Sequence, residues 1–147
     1  MVLDVTRNVK LAVGVSLLCV ALLPVRTVGA PDWDACVVDA SNHPIPGVLV
    51  RESYQNYSAE FSGHEQDLYT DARGCVHFPT KRITSPLFMR LLAILSSATA
   101  GVHASFGPYS SVVAFEGTQT GNDVRNGYIY SWTGESQRET SILTLHE

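Results

Sequence analysis

Turn-forming residues recur along the chain at short intervals, and this spacing limits the fold more than any other feature of the sequence. They stand at Asn42-His43-Pro44, Pro46-Gly47, Ser62-Gly63, Asp71-Ala72-Arg73-Gly74, Phe106-Gly107-Pro108, Glu116-Gly117, Thr120-Gly121-Asn122 and Thr133-Gly134. The runs between them are rich in Val, Tyr, Phe and Thr, which suit a pleated, half-buried surface. Short β-prone runs between regular turns predict an all-β fold, a sandwich of seven to eight strands. Strands are predicted over 35–39, 47–54, 67–70, 75–78, 101–106, 111–115, 127–132 and 141–145. Alternation along the fourth puts Val76 and Phe78 on one face and Cys75 and His77 on the other.

One segment breaks the pattern. Ser85-Pro86-Leu-Phe-Met-Arg-Leu-Leu-Ala-Ile-Leu-Ser97 is apolar on every side except Arg90. Ser85 is placed to cap a helix with Pro86 at its first position, and Leu, Met and Ala favour helix. A short helix packed into the sandwich core is expected. The alternative is that Leu87 to Leu95 forms a surface for a membrane or a partner.

The first thirty residues read differently. Arg7 and Lys10 precede an uncharged apolar run, Leu11 to Leu23, which Pro24 ends. A basic start, an apolar middle and a small-residue exit describe a secretory signal peptide. The run is short of the ~20 residues that a membrane span needs. Residues 1–29 are therefore expected to form the signal peptide, cut after Gly29 or after Ala30, with the β domain over 30–147. An uncleaved N-terminal anchor is the other possibility. The segment Leu17-Leu18-Cys19 lacks the small residue that a lipoprotein site requires before its cysteine.

The leader takes away Arg7, Lys10 and Arg26 against Asp4, so the net charge of −4 for the whole chain becomes −6 for the remainder. That balance argues against a basic patch for nucleic acid or anionic lipid. Cys36 and Cys75 are the two cysteines left, and in an exported domain they are expected to pair. Val37 points inward in the predicted register, so Cys36 and Cys75 both point outward and can meet across neighbouring strands. Periplasmic or secreted localisation follows.

Three further segments stand in order: Val37-Val-Asp39, Pro44-Ile-Pro-Gly-Val48, and Thr70-Asp-Ala-Arg-Gly74 followed by Val76-His-Phe78. Together they resemble the carboxypeptidase regulatory-like domain, a seven-stranded transthyretin-type sandwich, over roughly residues 35 to 80. In that family a strand ending in Asp leads through a turn to Pro-x-Pro-Gly, and a Thr-Asp-x-x-Gly turn opens an aromatic strand. The physics of these residues agrees. Pro44 and Pro46 hold an extended turn, Gly47 and Gly74 supply permissive positions, and Asp71 can bond its own turn. The 85–97 segment and Gly101-Val-His-Ala-Ser-Phe-Gly-Pro108 look like uncharacterised exported bacterial proteins. The resemblance implies an adhesive, stabilising or interaction module, with an unknown protein or glycan as partner.

No catalytic, cofactor or metal residue is assigned from the sequence. His43, His64 (with Glu65 and Asp67), His77, His103 and His146 read first as ordinary hydrogen-bonding residues. Intradiol dioxygenases share the Pro-Ile-Pro-Gly-type and Thr-Asp-x-x-Gly turns. Their iron sits between two Tyr and two His spaced His-x-His. This chain offers His103 followed by Ala104 and Ser105, with Tyr54, Tyr57 and Tyr69 as phenolate candidates, so one imidazole is missing. A hydroxyisourate hydrolase would end in Tyr-Arg-Gly-Ser, whereas this chain ends Thr-Leu-His-Glu, and no Gly-x-Ser-x-Gly elbow is present. Tyr128, Tyr130 and Trp132 share one face of a predicted strand, either in the core or, with Tyr109 and Phe115, as an outward stacking strip. Asn56-Tyr57-Ser58 is a glycosylation sequon that matters only in a eukaryotic host. The expectation is a non-enzymatic exported β-sandwich with a binding or accessory role in the cell envelope. The alternative is a metal-dependent enzyme on an intradiol-dioxygenase-like sandwich.

Overall fold

Six of the eight β-prone runs form strands over most of their length. The computed structural model describes residues 2–146. Helix α1 (Val2–Ala21) leads into strands β1 (Pro24–Ala30), β2 (Asp32–Val38), β3 (Leu49–Asn56), β4 (His64–Tyr69), β5 (Cys75–Phe78) and β6 (Lys81–Pro86). Helix α2 (Leu87–Ala98) and a 3-10 turn at Gly101–His103 follow. The chain closes with β7 (Pro108–Glu116), β8 (Gln119–Asn122), β9 (Val124–Arg125), β10 (Tyr128–Ile129) and β11 (Arg138–His146).

Seven strands join in the order β4-β3-β7-β8-β11-β2-β5, with β11 and β2 parallel and the other neighbours antiparallel. The two halves bury their inner faces against each other in a sandwich-like arrangement. Trp33, Ala35 and Val37 of β2, Phe78 of β5 and Leu143 of β11 share one cluster with Val50 of β3 and Val112 and Ala114 of β7. Fully buried Trp33 donates its indole N–H to Ser141 Oγ at 2.9 Å, so the ring is enclosed without an orphaned donor. A separate ribbon, β1 paired antiparallel with β6, lies with β1 against β3 and β7. Strands β9 and β10 form a small hairpin.

The turn motifs converge at one end of the sandwich. Asp39 Oδ1 accepts from the Ser41 and His43 amides, each at 2.8 Å. Thr70 Oγ1 donates to the Ile45 carbonyl and accepts from the Val48 amide, both at 2.9 Å, which ties the Pro-Ile-Pro-Gly turn to the Thr-Asp-x-x-Gly turn. Asp71 Oδ1 accepts from the amides of Arg73 and Cys75. Gly74 has a φ of +74°, and a Cβ there would lie 2.9 Å from both Pro44 Cβ and the Ile45 amide nitrogen. Glycine is therefore required by backbone conformation and by contact.

Four expectations are corrected. The segment 101–106 is not a strand, because Gly101 and Gly107 take positive φ and the chain between them turns. The strand expected over 127–132 shrinks to Tyr128–Ile129, after a tight turn in which Asn126 and Gly127 take positive φ. The helix begins at Leu87 with Pro86, not Ser85, at its N-cap, and Ser85 Oγ is buried without a partner. Finally, α2 is not a core helix, since Ala93 is its one buried residue. Strands β1, β6, β8 and β9 have no counterpart among the expected strands, and cuts after Gly29 or Ala30 would fall at the end of β1.

Candidate functional site

Cys36 and Cys75 face each other across β2 and β5 and form a disulfide. Val37 is buried beside them, so the bridge sits on the outer face as alternation required. Next to it, His77 Nδ1 lies 2.9 Å from Asp34 Oδ1, and Arg138 donates to Asp34 Oδ2 at 2.8 Å. The Arg138 guanidinium, then His77, holds the Asp34 carboxyl below its ordinary range. A disulfide points to an oxidising setting outside the cytoplasm. Among the described residues, no helix is long and apolar enough to cross a membrane.

The other histidines are dispersed. His43 pairs with Asp39, and His64 lies 2.7 Å from Glu60. His103 sits in the 3-10 turn, away from any strand, so the pairing that would bring it to His77 does not occur. His146 ends β11. His64, Glu65 and Asp67 all lie on β4, where Glu65 and Asp67 both bind Arg51, at 3.0 and 2.7 Å. Tyr54 and Tyr57 line an open groove of about 370 Å³ with His64 and Tyr109, whereas Tyr69 is exposed on β4. No group of three His, Cys, Asp or Glu side chains able to hold a metal exists among the described residues.

The aromatic strip divides between core and surface. Trp132 is buried, Tyr130 packs edge-on against Trp33 with the Arg125 guanidinium 3.5 Å from its ring centre, and Tyr128 is exposed. The sequon residue Asn56 is buried, and its amide is engaged by Thr27 and the Ser58 N–H.

Two features were missed from the sequence. The first is Glu52, which is 0% exposed between strands that bury Val50 and Val112, and neither of its carboxylate oxygens has a hydrogen-bond partner. Burial pushes its carboxyl up to about 7 against a smaller downward pull from Lys81. The alternation Val48, Val50, Glu52, Tyr54 carries the signal, because it puts Glu52 on the inner face.

The second feature is the outside of α2. Arg90, its one charged residue, turns inward and donates to the Val25 carbonyl at 3.1 Å and Thr27 Oγ1 at 2.9 Å. Ser97 Oγ donates to the Tyr57 carbonyl. Leu87, Phe88, Leu91, Leu92, Ile94 and Leu95 are exposed, Leu91 by 59% and Leu95 by 54%. This inverts the usual arrangement of a surface helix, whose charged face meets water and whose leucines meet the core.

No protein-family model matches the chain, and no curated protein matches it in sequence. Among solved structures, the chain is similar to a 3-chlorocatechol 1,2-dioxygenase from Rhodococcus opacus 1CP. The identity is 14% and the TM-score 0.43, over 80% of this chain and 60% of that one. The class defined here is a mostly β, sandwich-like protein with one disulfide.

Proposed function

We propose that this chain is a non-enzymatic exported β-sandwich module that acts as an accessory of the cell envelope and docks on a lipid surface through α2. The inverted helix carries this reading. A contiguous apolar patch of this kind is costly in water and marks an interaction surface. Pro24 pairs with Pro86, so α1 and α2 leave the same end of the β1–β6 ribbon, and the exposed face of α2 stands beside another apolar helix. While still attached during export, α1 in the membrane would bring α2 to that surface, and the leucines of α2 would hold the processed protein there afterwards. Twelve residues span about 18 Å, too little to cross a bilayer, so α2 would lie along its surface. The chain is acidic, so the attraction is apolar rather than electrostatic.

The test is co-sedimentation of the processed protein with phosphatidylcholine vesicles. Wild type should pellet with them at both low and high salt, and Leu91→Asp/Leu95→Asp should remain in the supernatant with its β-sheet circular dichroism intact. A wild-type protein that stays in solution would refute the reading.

A second reading rests on the groove beside Tyr57. Tyr57 and Tyr109 stand 6.4 Å apart between ring centres, and Tyr54 stacks on His64 at 5.0 Å. Aromatic faces next to Glu65 and Gln55 suit a saccharide. Glycan-array binding that Tyr57→Ala abolishes would support it, and an array without signal would remove it.

A further inference from the structure

The β1–β6 ribbon bears on where an exported form of this chain begins. Strand β1 is built into the domain. Its backbone pairs with β6 from Pro24↔Pro86 to Ala30↔Lys81. Ala30 and Pro31 are fully buried, and Val28 packs on the core cluster. Gly29 is so close to β6 that an added Cβ would lie 2.5 Å from Ile83 Cδ1. The Val25 carbonyl and Thr27 Oγ1 accept both bonds from the inward-turned Arg90, and Thr27 also meets buried Asn56. A cut after Gly29 or Ala30 would carry all of this away. It would leave β6 without its partner, Arg90 without acceptors and β3 and β7 without β1 against them. A Pro at the first position after the scissile bond also suits a leader peptidase poorly.

The other side of Pro24 has the opposite character. Helix α1 ends at Ala21, and its residues from Arg7 to Val20 are exposed. Cys19-Val20-Ala21 places small side chains one and three positions before the Ala21–Leu22 bond. Leu11 to Leu18 is an uncharged apolar stretch of the length such a leader uses, behind Arg7 and Lys10. The boundary of the leader motif and the boundary of the packed domain thus coincide.

We infer that the leader is removed at Ala21–Leu22, and that the exported protein begins Leu22-Leu-Pro-Val and keeps β1 as its first strand. The inference rests on the export reading. The step is hydrolysis of one amide by a membrane-bound leader peptidase that reads small residues. Water adds across the bond, Ala21 leaves with the carboxylate, and Leu22 carries the new amine. Cys19 departs with the leader, so the exported chain holds Cys36 and Cys75 alone.

N-terminal sequencing of the full-length chain expressed in a secreting bacterium, and recovered from its periplasm or medium, tests this. The expected first residue is Leu22. A first residue of Ala30 or Pro31 would overturn the site while leaving export intact. A retained Met1 would overturn both. Ala21→Arg should abolish the processed form and accumulate the precursor, and unchanged processing of that variant would also refute the assignment. The readout is the sequence of the cut chain, so it does not depend on whether a variant folds.

Discussion

Glu52 works against the fold at neutral pH. Its carboxyl sits near 7 when enclosed and at 4.5 as a free side chain. Below pH 4.5 both states hold the proton and no charge is buried. Between about 4.5 and 7 the unfolded chain ionises first, so stability falls as pH rises, and above 7 the loss is complete at up to about 3 kcal/mol. Asp34, Asp39, Asp67 and Asp71 have lowered values, so their stabilisation is lost only at more acid pH. Thermal unfolding of Glu52→Gln against wild type isolates the effect. The variant should be the more stable at pH 8 and should lack the decline between pH 5 and 7. A parallel pair of curves would show that Glu52 is not enclosed. Gly74→Ala should cost at least ~1 kcal/mol in urea unfolding, because it combines a positive φ with a Cβ pressed on Pro44.

Residues were legible where period two decides their face. Cys36 and Cys75 could be placed on the outer surface because Val37, Val76 and Phe78 fix the inner one. Glu52 obeys the same alternation, but a carboxylate is the residue least expected inside, so the pattern alone did not reveal it.

At the scale of elements, β1 and α2 were the segments read least well, and each for a physical reason. Strand β1 follows directly on an apolar run, and its small residues look like the exit of a leader. In the fold, Gly29 is small because Ile83 lies against it. For α2, apolarity was equated with burial. In the fold, Arg90 turns to acceptors on β1 and Ala93 is buried, while the six large apolar side chains stay exposed. The strands of the main sheet were legible because their alternation matches one buried face, and the segment 101–106 was not because two positive-φ glycines override its strand-like composition. Removal of β1 tests the element directly. A protein starting at Pro31 should unfold at lower urea than one starting at Leu22, with the midpoints compared by tryptophan fluorescence of Trp33 and Trp132. Equal midpoints would mean that β1 contributes nothing.

At the scale of the molecule, the sandwich has two differently built ends. One holds the interlocked turns around Thr70, Asp71 and Gly74, close to the Cys36–Cys75 bridge that closes β2 to β5. Reducing that bridge should lower stability by about 2–4 kcal/mol, read as a shift in thermal midpoint with and without dithiothreitol, and an unchanged midpoint would show that the strands hold without it. The other end carries α2 with its leucines outward. Hydrogen exchange of the processed protein with and without phosphatidylcholine vesicles is the most direct test of the docking claim, because it locates the contact. Amides of 87–98 should exchange quickly in solution and slow on vesicle addition, while those of β2, β3, β7 and β11 stay unchanged. Exchange in 87–98 that is already slow without vesicles, or that vesicles do not alter, would contradict it.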